Sequence, residues 1–331
     1  MVEDSNDRLL HACSLTVTYG PDDERPVRAL KDVNLEIRPA EVVGVMGESG
    51  SGKSTLALSL LRMLPPHASC DSGSLTFQGR DLLLLNQPEL RKIRGAHMCL
   101  VAQDPALALS PVMRVGDQIA EVIRAHSSIG PQERSLLVEE LLREVGFQEP
   151  REIYPAYPHQ LSGGQRQRVT IAQAIACNPS LVVADEPTSE LDAGLRAEII
   201  RLMAEIRRKH RTAFLVISHD PTIFAGFADR IAVMYAGRVV EEGKTEDIFR
   251  RPLHPYTQAL VNLSTSCFGG PAASRARFPA LQGESPDLAC LPRGCTFEPR
   301  CRERMEVCTS RDPQEFIPIP SHRVNCFKYG N

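Results

Sequence analysis

Gly47–Thr55 reads GESGSGKST, and it is followed by LSGGQRQR at Leu161–Arg168 and LVVADE at Leu181–Glu186. The first stretch fits G-x-x-x-x-G-K-[ST], in which glycines let successive backbone N–H groups curl around phosphate oxygens while a lysine meets the outer phosphates. Gly47, Glu48, Ser49, Gly50, Ser51, Gly52, Lys53, Ser54 and Thr55 are therefore expected to form an anion-binding loop. Upstream, EVVGVM (Glu41–Met46) reads as a buried strand, and downstream STLALSLLRML (Ser54–Leu64) reads as a helix with an apolar face. Strand, loop and helix in that order are what the motif requires. The helix start adds unpaired N–H donors and the positive end of its dipole, both favouring negative charge. Lys53 is expected at the β- and γ-phosphates and Ser54 at Mg2+.

LVVADE is a short apolar strand whose tip carries two carboxylates, and such tips project at the ligand edge of a parallel sheet. Asp185 fits a Mg2+ ligand, and Glu186 fits a base that takes a proton from attacking water. A solvated turn or a helix N-cap is the bland alternative for such a pair. In LSGGQRQR, Ser162 and Gln165 have capping-box spacing and predict a helix running to about Cys177. Capping does not account for Gly163 and Gly164, which weaken a helix start but leave its N–H groups open to an anion.

LSGGQRQR resembles the signature of the ATP-binding cassette (ABC) ATPases, and other positions match that family in order. The resemblance implies that Ser162, Gly163, Gly164 and Gln165 cover the γ-phosphate of an ATP held by an opposing subunit, so two ATPs lie in a dimer. It further implies that Gln103, in LVAQDP, touches Mg2+ and the attacking water, and that His219, in VISHD, contacts the γ-phosphate. Tyr19, in VTYG, would stack on adenine. Each of these three has an ordinary alternative: a polar strand end, a structural histidine, a tyrosine covering core. SELD (Ser189–Asp192) departs from the family's usual pattern by placing Glu190 where a small residue is common.

At 331 residues, 42% hydrophobic and 24% charged, the chain is expected to form about two globular domains. A net charge of -3 with no long basic run argues against a general nucleic-acid surface. No apolar run reaches the length of a membrane span, and MVEDSNDRLLHACS lacks a signal pattern, so a cytosolic chain that docks on a membrane partner is expected. Antiparallel strands are predicted from Leu9 to Ile37 and at Gly73–Gly79. Helical pattern is predicted over Val115–Phe147 and Ala193–Lys209, and closing strands at Arg230–Tyr235 and Arg238–Glu242.

The tail narrows the family. RPLHPYTQALVNL (Arg251–Leu263), GCTFEPRCRERMEVC (Gly294–Cys308) and HRVNC (His322–Cys326) resemble the C-terminal extension of oligopeptide, dipeptide and nickel ABC importer ATPases. Of ten cysteines, six lie between Cys267 and Cys326, and four are spaced C-x5-C-x6-C-x17-C. Disulfides do not suit a reducing cytosol. Spacing leaves zinc, an iron–sulfur cluster and plain buried thiols open. The resemblance implies a [4Fe-4S] cluster on Cys295, Cys301, Cys308 and Cys326, with Cys290 outside the pattern.

The expected fold is an α/β parallel sheet of the P-loop NTPase (ABC ATPase) class, with an antiparallel β-subdomain, a helical subdomain at about 104–178, and a Cys-rich extension. The ATP-binding domain is expected at 1–250 and the extension at 251–331. The resemblance implies a peripheral ATPase on the cytoplasmic face of the inner membrane, paired with a second related ATPase subunit under two permease subunits and an extracytoplasmic solute-binding protein. Di- or oligopeptides are the expected cargo, with nickel as the alternative. A soluble ABC ATPase acting on DNA or ribosomes fits less well, because no long coiled coil separates the phosphate loop from the signature and only one cassette is present.

Overall fold

The computed structural model describes residues 8–21, 25–262, 281 and 283–330. In chain order its elements are β1 (Leu10–Tyr19), β2 (Val27–Ile37), β3 (Val42–Met46), α1 (Lys53–Leu60), β4 (Ala68–Phe77), β5 (Arg80–Asp81), α2 (Gln87–Ile93), β6 (Met98–Val101), α3 (Pro105–Ala108), α4 (Val115–His126), α5 (Pro131–Glu144) and α6 (Pro150–Ile153). There follow α7 (Gly163–Ile175), β7 (Leu181–Asp185), α8 (Ala193–His210), β8 (Ala213–Ser218), β9 (Arg230–Tyr235), β10 (Arg238–Lys244), α9 (Thr245–Arg250), α10 (Pro255–Asn262), β11 (Phe316–Ile319) and β12 (His322–Val324). The chain divides into two compact units. One is built on Asp81–Ile217, the other on Leu10–Glu36, Val42–Arg80 and the described residues from Ser218 onward.

In the first unit, β6, β7 and β8 pair in parallel, Met98 opposite Leu181 and Leu181 opposite Ala213. Strands covered on both faces read as unbroken apolar runs rather than alternating ones, which is the pattern of LVVA and AFLVIS, all buried. The helices of this unit bury one stripe each: Val115, Ile119 and Ile123 on α4, Val138, Leu141 and Leu142 on α5, and Ile199, Leu202, Met203 and Ile206 on α8. The helical pattern expected over Val115–Phe147 forms two helices, the second opened at Gly130-Pro131, which reads as a helix starter in the sequence.

In the second unit, the strand order is β11-β12-β10-β9-β3. Here β3 and β9 are parallel and the other pairs antiparallel. A separate antiparallel sheet runs β2-β1-β4-β5, with Leu10 opposite Phe77 and Tyr19 opposite Ala68. The predicted strand at Gly73–Gly79 is thus the second half of the longer β4. Helix α1 stops at Leu60, short of the predicted Leu64. Arg62 adopts φ 55°, Met63 N–H bonds the Leu58 carbonyl at 2.7 Å and Arg62 N–H bonds the Ser59 carbonyl at 2.9 Å, a Schellman ending made without glycine. Among the described residues no helix is long and apolar enough to cross a membrane.

Candidate functional site

The phosphate-type loop lies in the second unit between β3 and α1. All of β3 is buried and delivers Gly47 to a crowded spot, where an added Cβ would stand 2.3 Å from the Met234 carbonyl oxygen and 2.8 Å from Ser51 Oγ. Only glycine fits there. Gly52 precedes α1 at φ 101°, a left-handed conformation that side chains resist, and no side chain caps the helix it opens. Lys53 is the first residue of α1 and only 7% exposed, because its ammonium turns back into the loop. Nζ donates to the carbonyls of Gly47 (2.8 Å) and Glu48 (2.7 Å) and lies 3.4 Å from Ser51 Oγ. The loop is also tied to the β9–β10 turn, where Gly237 N–H bonds the Ser51 carbonyl at 3.0 Å. Ser49, Gly50 and Ser54 are exposed, and Thr55 is half-buried. Tyr19, half-buried at the end of β1, has its hydroxyl 3.3 Å from Thr55 Oγ1 and its ring 5.5 Å from that of His67. His219 is exposed just after β8, and the neighbouring Asp220 caps the turn that follows.

Glu48 has partners that sequence reasoning missed. Its backbone N–H donates to the Tyr256 hydroxyl at 2.8 Å, and its carboxylate receives both arms of the Arg300 guanidinium at 2.7 and 3.1 Å. The His254-Pro255-Tyr256 run opens a short helix, α10, and Tyr256, fully buried, also reaches the loop. Tyr235, Tyr256 and Phe297 form a ring cluster with centroids 4.6 to 5.5 Å apart, and Arg300 lies 5.8 Å from the centre of the Tyr235 ring.

In the first unit, Asp185 ends β7, and Glu186 follows at φ 49° with 9% exposure. A non-glycine residue held left-handed costs on the order of 1 kcal/mol, and such outliers persist where surrounding contacts over-determine them. Those contacts are explicit: Glu186 N–H bonds the Ile217 carbonyl at 2.9 Å, while its own carbonyl accepts from Ser189 N–H at 3.2 Å and Ser189 Oγ at 3.1 Å. Gln103 is exposed beyond β6, ahead of α3, which Asp104 caps. The capping box at Ser162 is complete, with Gln165 N–H on Ser162 Oγ at 3.2 Å and Ser162 N–H on Gln165 Oε1 at 2.9 Å. Helix α7 ends at Ile175, two residues before the expected Cys177. A Cβ on Gly164 would press Leu195 at 3.2 Å, whereas one on Gly163 would meet nothing within 4 Å. Among the described residues, then, nothing crowds position 163 so as to require glycine. Asp192 caps α8 through the N–H groups of Gly194 and Leu195, and Glu190 is exposed.

The four tail cysteines belong to the second unit. Burial pushes the Cys295 thiol up to about 12, and proximity to Cys308, Cys326 and Cys301 adds to this. Burial likewise raises Cys301 to about 11, with Cys326 and Cys308 contributing, and raises Cys326, with Cys308 contributing. The four sulfurs therefore share one neighbourhood, further fixed by the Cys295 N–H on the Cys308 carbonyl at 2.8 Å. No group of three or more His, Cys, Asp or Glu side chains among the described residues is arranged to hold a metal ion. Cys290 is exposed, and Cys267 lies outside the described residues.

Set against known proteins, the chain is 40% identical over 329 residues to the oligopeptide transport ATP-binding protein OppD of Escherichia coli K12, covering 99% of this chain and 95% of that one. The ABC transporter family profile matches residues 30–189, across the phosphate loop, signature and β7. The chain belongs to the ABC transporter family. A second profile, for the oligopeptide/dipeptide transporter C-terminal region, matches residues 240–308 of this ABC ATPase. The dipeptide transport ATP-binding protein DppD of Haemophilus influenzae is 41% identical over 318 residues, 96% of this chain and 94% of the relative. Among solved structures, the ATP-binding cassette MJ0796, as a post-hydrolysis dimer bound to ADP and Pi, superposes with a TM-score of 0.64 at 31% identity, covering 71% of this chain and 98% of that one. The cbiO1 subunit of the Clostridium perfringens cbiONQ transporter complex gives 0.64 at 26% identity, covering 80% and 98%. The fold is that of a P-loop NTPase of the ABC type, and the chain is an ATPase subunit.

Proposed function

We propose that this ABC ATPase drives import of oligopeptides or dipeptides through a membrane permease, docked on the cytoplasmic face of the inner membrane as one of two related ATPase subunits. The observation that carries the reading is likeness to OppD and DppD over nearly the whole chain, tail included. The ATP-binding domain spans 1–250, with its helical subdomain at about 104–178, and the extension is 251–331. An extracytoplasmic binding protein delivers the solute.

In this reading the backbone of Gly47–Gly52 cradles the phosphates, Lys53 leaves its carbonyl partners for the β- and γ-oxygens, Thr55 supports the loop, and Tyr19 stacks on adenine. Ser54, Asp185 and Gln103 offer hard oxygen donors of the kind Mg2+ takes, and would hold it; bound there, it neutralises charge on the phosphates. Glu186 accepts a proton from water as the water oxygen bonds the γ-phosphorus and the bond to the β–γ bridging oxygen breaks, releasing ADP. His219 steadies the γ-phosphate. Ser162, Gly163, Gly164 and Gln165 cover the nucleotide of the opposing subunit. The open space over Gly163 supports this assignment, because it leaves the backbone N–H there accessible to a phosphate.

Cys295, Cys301, Cys308 and Cys326 supply the donor chemistry of a [4Fe-4S] cluster: four thiols in one neighbourhood, with burial raising the pKa of Cys295, Cys301 and Cys326, a cost that a bound cation would offset by drawing thiols to thiolates. Bound there, the group would cross-link a segment with little core of its own. Iron and acid-labile sulfide in anaerobically purified protein support the cluster; stoichiometric zinc without iron replaces it by a zinc site. For transport, the chain is reconstituted with its permease and partner ATPase, and ATP hydrolysis is measured against solutes. Stimulation by peptides supports the proposal, and stimulation by nickel alone refutes the peptide assignment.

A further inference from the structure

A carboxylate inside a loop built to receive a triphosphate is an electrostatic liability, since like charges a few ångströms apart repel by amounts comparable to a tenfold change in affinity. Glu48 is such a carboxylate, second residue of the loop and 26% exposed at its side chain. It is not left to solvent. Arg300 meets it with a bidentate pair at 2.7 and 3.1 Å, and that arginine is itself only 7% exposed. A planar fork on a carboxylate fixes both charge and orientation, which a lysine cannot do. Arg300 is in turn held by the Gly283 carbonyl at 3.2 Å and by the Tyr235 hydroxyl at 3.4 Å. The Tyr256 hydroxyl takes the Glu48 N–H at 2.8 Å, so the backbone at this point of the loop is fixed from the same side.

Both Arg300 and Tyr256 lie in the extension, Arg300 directly before Cys301. We propose that the extension is a working part of the nucleotide site, with Arg300 and Tyr256 as positioning residues that neutralise and orient Glu48 so that the phosphate loop accepts a triphosphate. This deepens the ATP-site reading above and rests on it. The sequence motif counts Glu48 as a variable position, yet its charge makes the loop dependent on a residue 252 positions away.

The experiment measures the dissociation constant of Mg2+ and the non-hydrolysable β,γ-imido analogue of ATP with the full chain. The variants are Arg300→Met, Arg300→Lys, Glu48→Gln and the double variant Glu48→Gln/Arg300→Met, and thermal midpoints report on folding. Arg300→Met is expected to weaken binding about 10-fold and Arg300→Lys about 3-fold. Glu48→Gln serves as its own reference, and against it the double variant should lose no more than about 2-fold, a rescue expected because a neutral amide needs no counter-charge. A merely structural arginine would show no such rescue, so a double variant that falls as far below Glu48→Gln as Arg300→Met falls below the parent overturns the inference. Unchanged affinity in both Arg300 variants also overturns it. If Arg300→Met fails to fold, Arg300→Lys against Glu48→Gln/Arg300→Lys decides by the same rescue. A parent that does not bind the analogue at all would overturn the ATP-site reading itself, whereas a binding parent with indifferent variants overturns this inference alone.

Discussion

Glu241 is the perturbation that most directly tests how the extension is anchored. It sits on β10 with 1% exposure, and its carboxylate has three donors: Leu253 N–H at 2.7 Å, His254 N–H at 2.8 Å and His322 Nε2 at 2.7 Å. One side chain therefore ties the strand to the entrance of α10 and to β12. Glu241→Ala strands those donors in a region closed to water. Each unmatched buried donor costs about 1–3 kcal/mol. Because the three share one carboxylate their costs do not add, and we expect a loss of about 4 kcal/mol. Glu241→Gln keeps the volume and one acceptor oxygen but turns an amide NH2 toward a donor, for about 2 kcal/mol. Chemical unfolding gives the magnitude, and amide hydrogen exchange locates it: protection at Leu253, His254 and Val324 should fall in the variant while β7 and β8 stay protected. Since Tyr256 follows His254 by two residues, affinity for the ATP analogue should also fall, by about 3-fold. A loss under about 1 kcal/mol with unchanged exchange would refute the reasoning.

Three further outcomes are expected. Burial holds His254 neutral, its pKa lowered from 6.5 to about 4 despite the opposing pull of Glu241 and Glu303; the unfolded chain then takes up the proton first, so stability is fully present above pH 6.5 and declines as pH falls toward 4, by about 3 kcal/mol overall. His254→Asn, which retains an acceptor for the Tyr256 N–H, should flatten that slope in urea titrations between pH 7 and 5; an identical slope in parent and variant counts against it. Glu186→Gln should keep ATP binding and lose roughly 100-fold or more in turnover, because the phosphate cradle survives without the base; equal hydrolysis by parent and variant ends that assignment. Gly163→Ala should leave the isolated chain as stable or up to about 1 kcal/mol more stable, since helix propensity rises and nothing crowds the new methyl, yet lower the ATPase of the assembled transporter at least ~10-fold. Full activity in that assembly would mean that no partner nucleotide approaches Gly163.

The parts of the site that were legible in the sequence are those whose chemistry is local. A phosphate loop is nine consecutive residues, a capping box is four, and a buried parallel strand is an apolar run, so Gly47–Thr55, Ser162–Gln165 and β7 followed from short-range pattern alone. Boundaries failed where an ending used an unusual residue. Arg62 at positive φ closes α1 as a glycine would, and nothing in ARG-MET-LEU at positions 62–64 announces it. The strained backbone of Glu186 was equally silent, because it comes from hydrogen bonds to Ile217 and Ser189 that exist only once β7 and β8 are paired. Charge pairs between distant residues were the least legible: Arg300 is one of many arginines, and only the fold selects it for Glu48.

That last point bears on why the extension carries a family signature at all. A tail with few apolar residues gains little by packing, so its arrangement has to be specified by other means: a buried carboxylate at Glu241, a ring cluster at Tyr235, Tyr256 and Phe297, and four thiols in one neighbourhood. The ring cluster and the thiols both include residues of the short span 295 to 301 that carries Arg300, and Glu241 reaches that span through His254, whose ring lies 5.5 Å from that of Phe297. If positioning Arg300 were not the outcome that matters, any one of the three anchors would suffice to hold the segment down. Their convergence predicts graded behaviour: loosening the thiol neighbourhood with Cys301→Ser should weaken nucleotide binding through Arg300, and the weakening should vanish when Glu48 is already Gln. An additive loss in that pair would show that the cysteines and the loop are independent, and would leave the tail's three anchors with a purpose elsewhere.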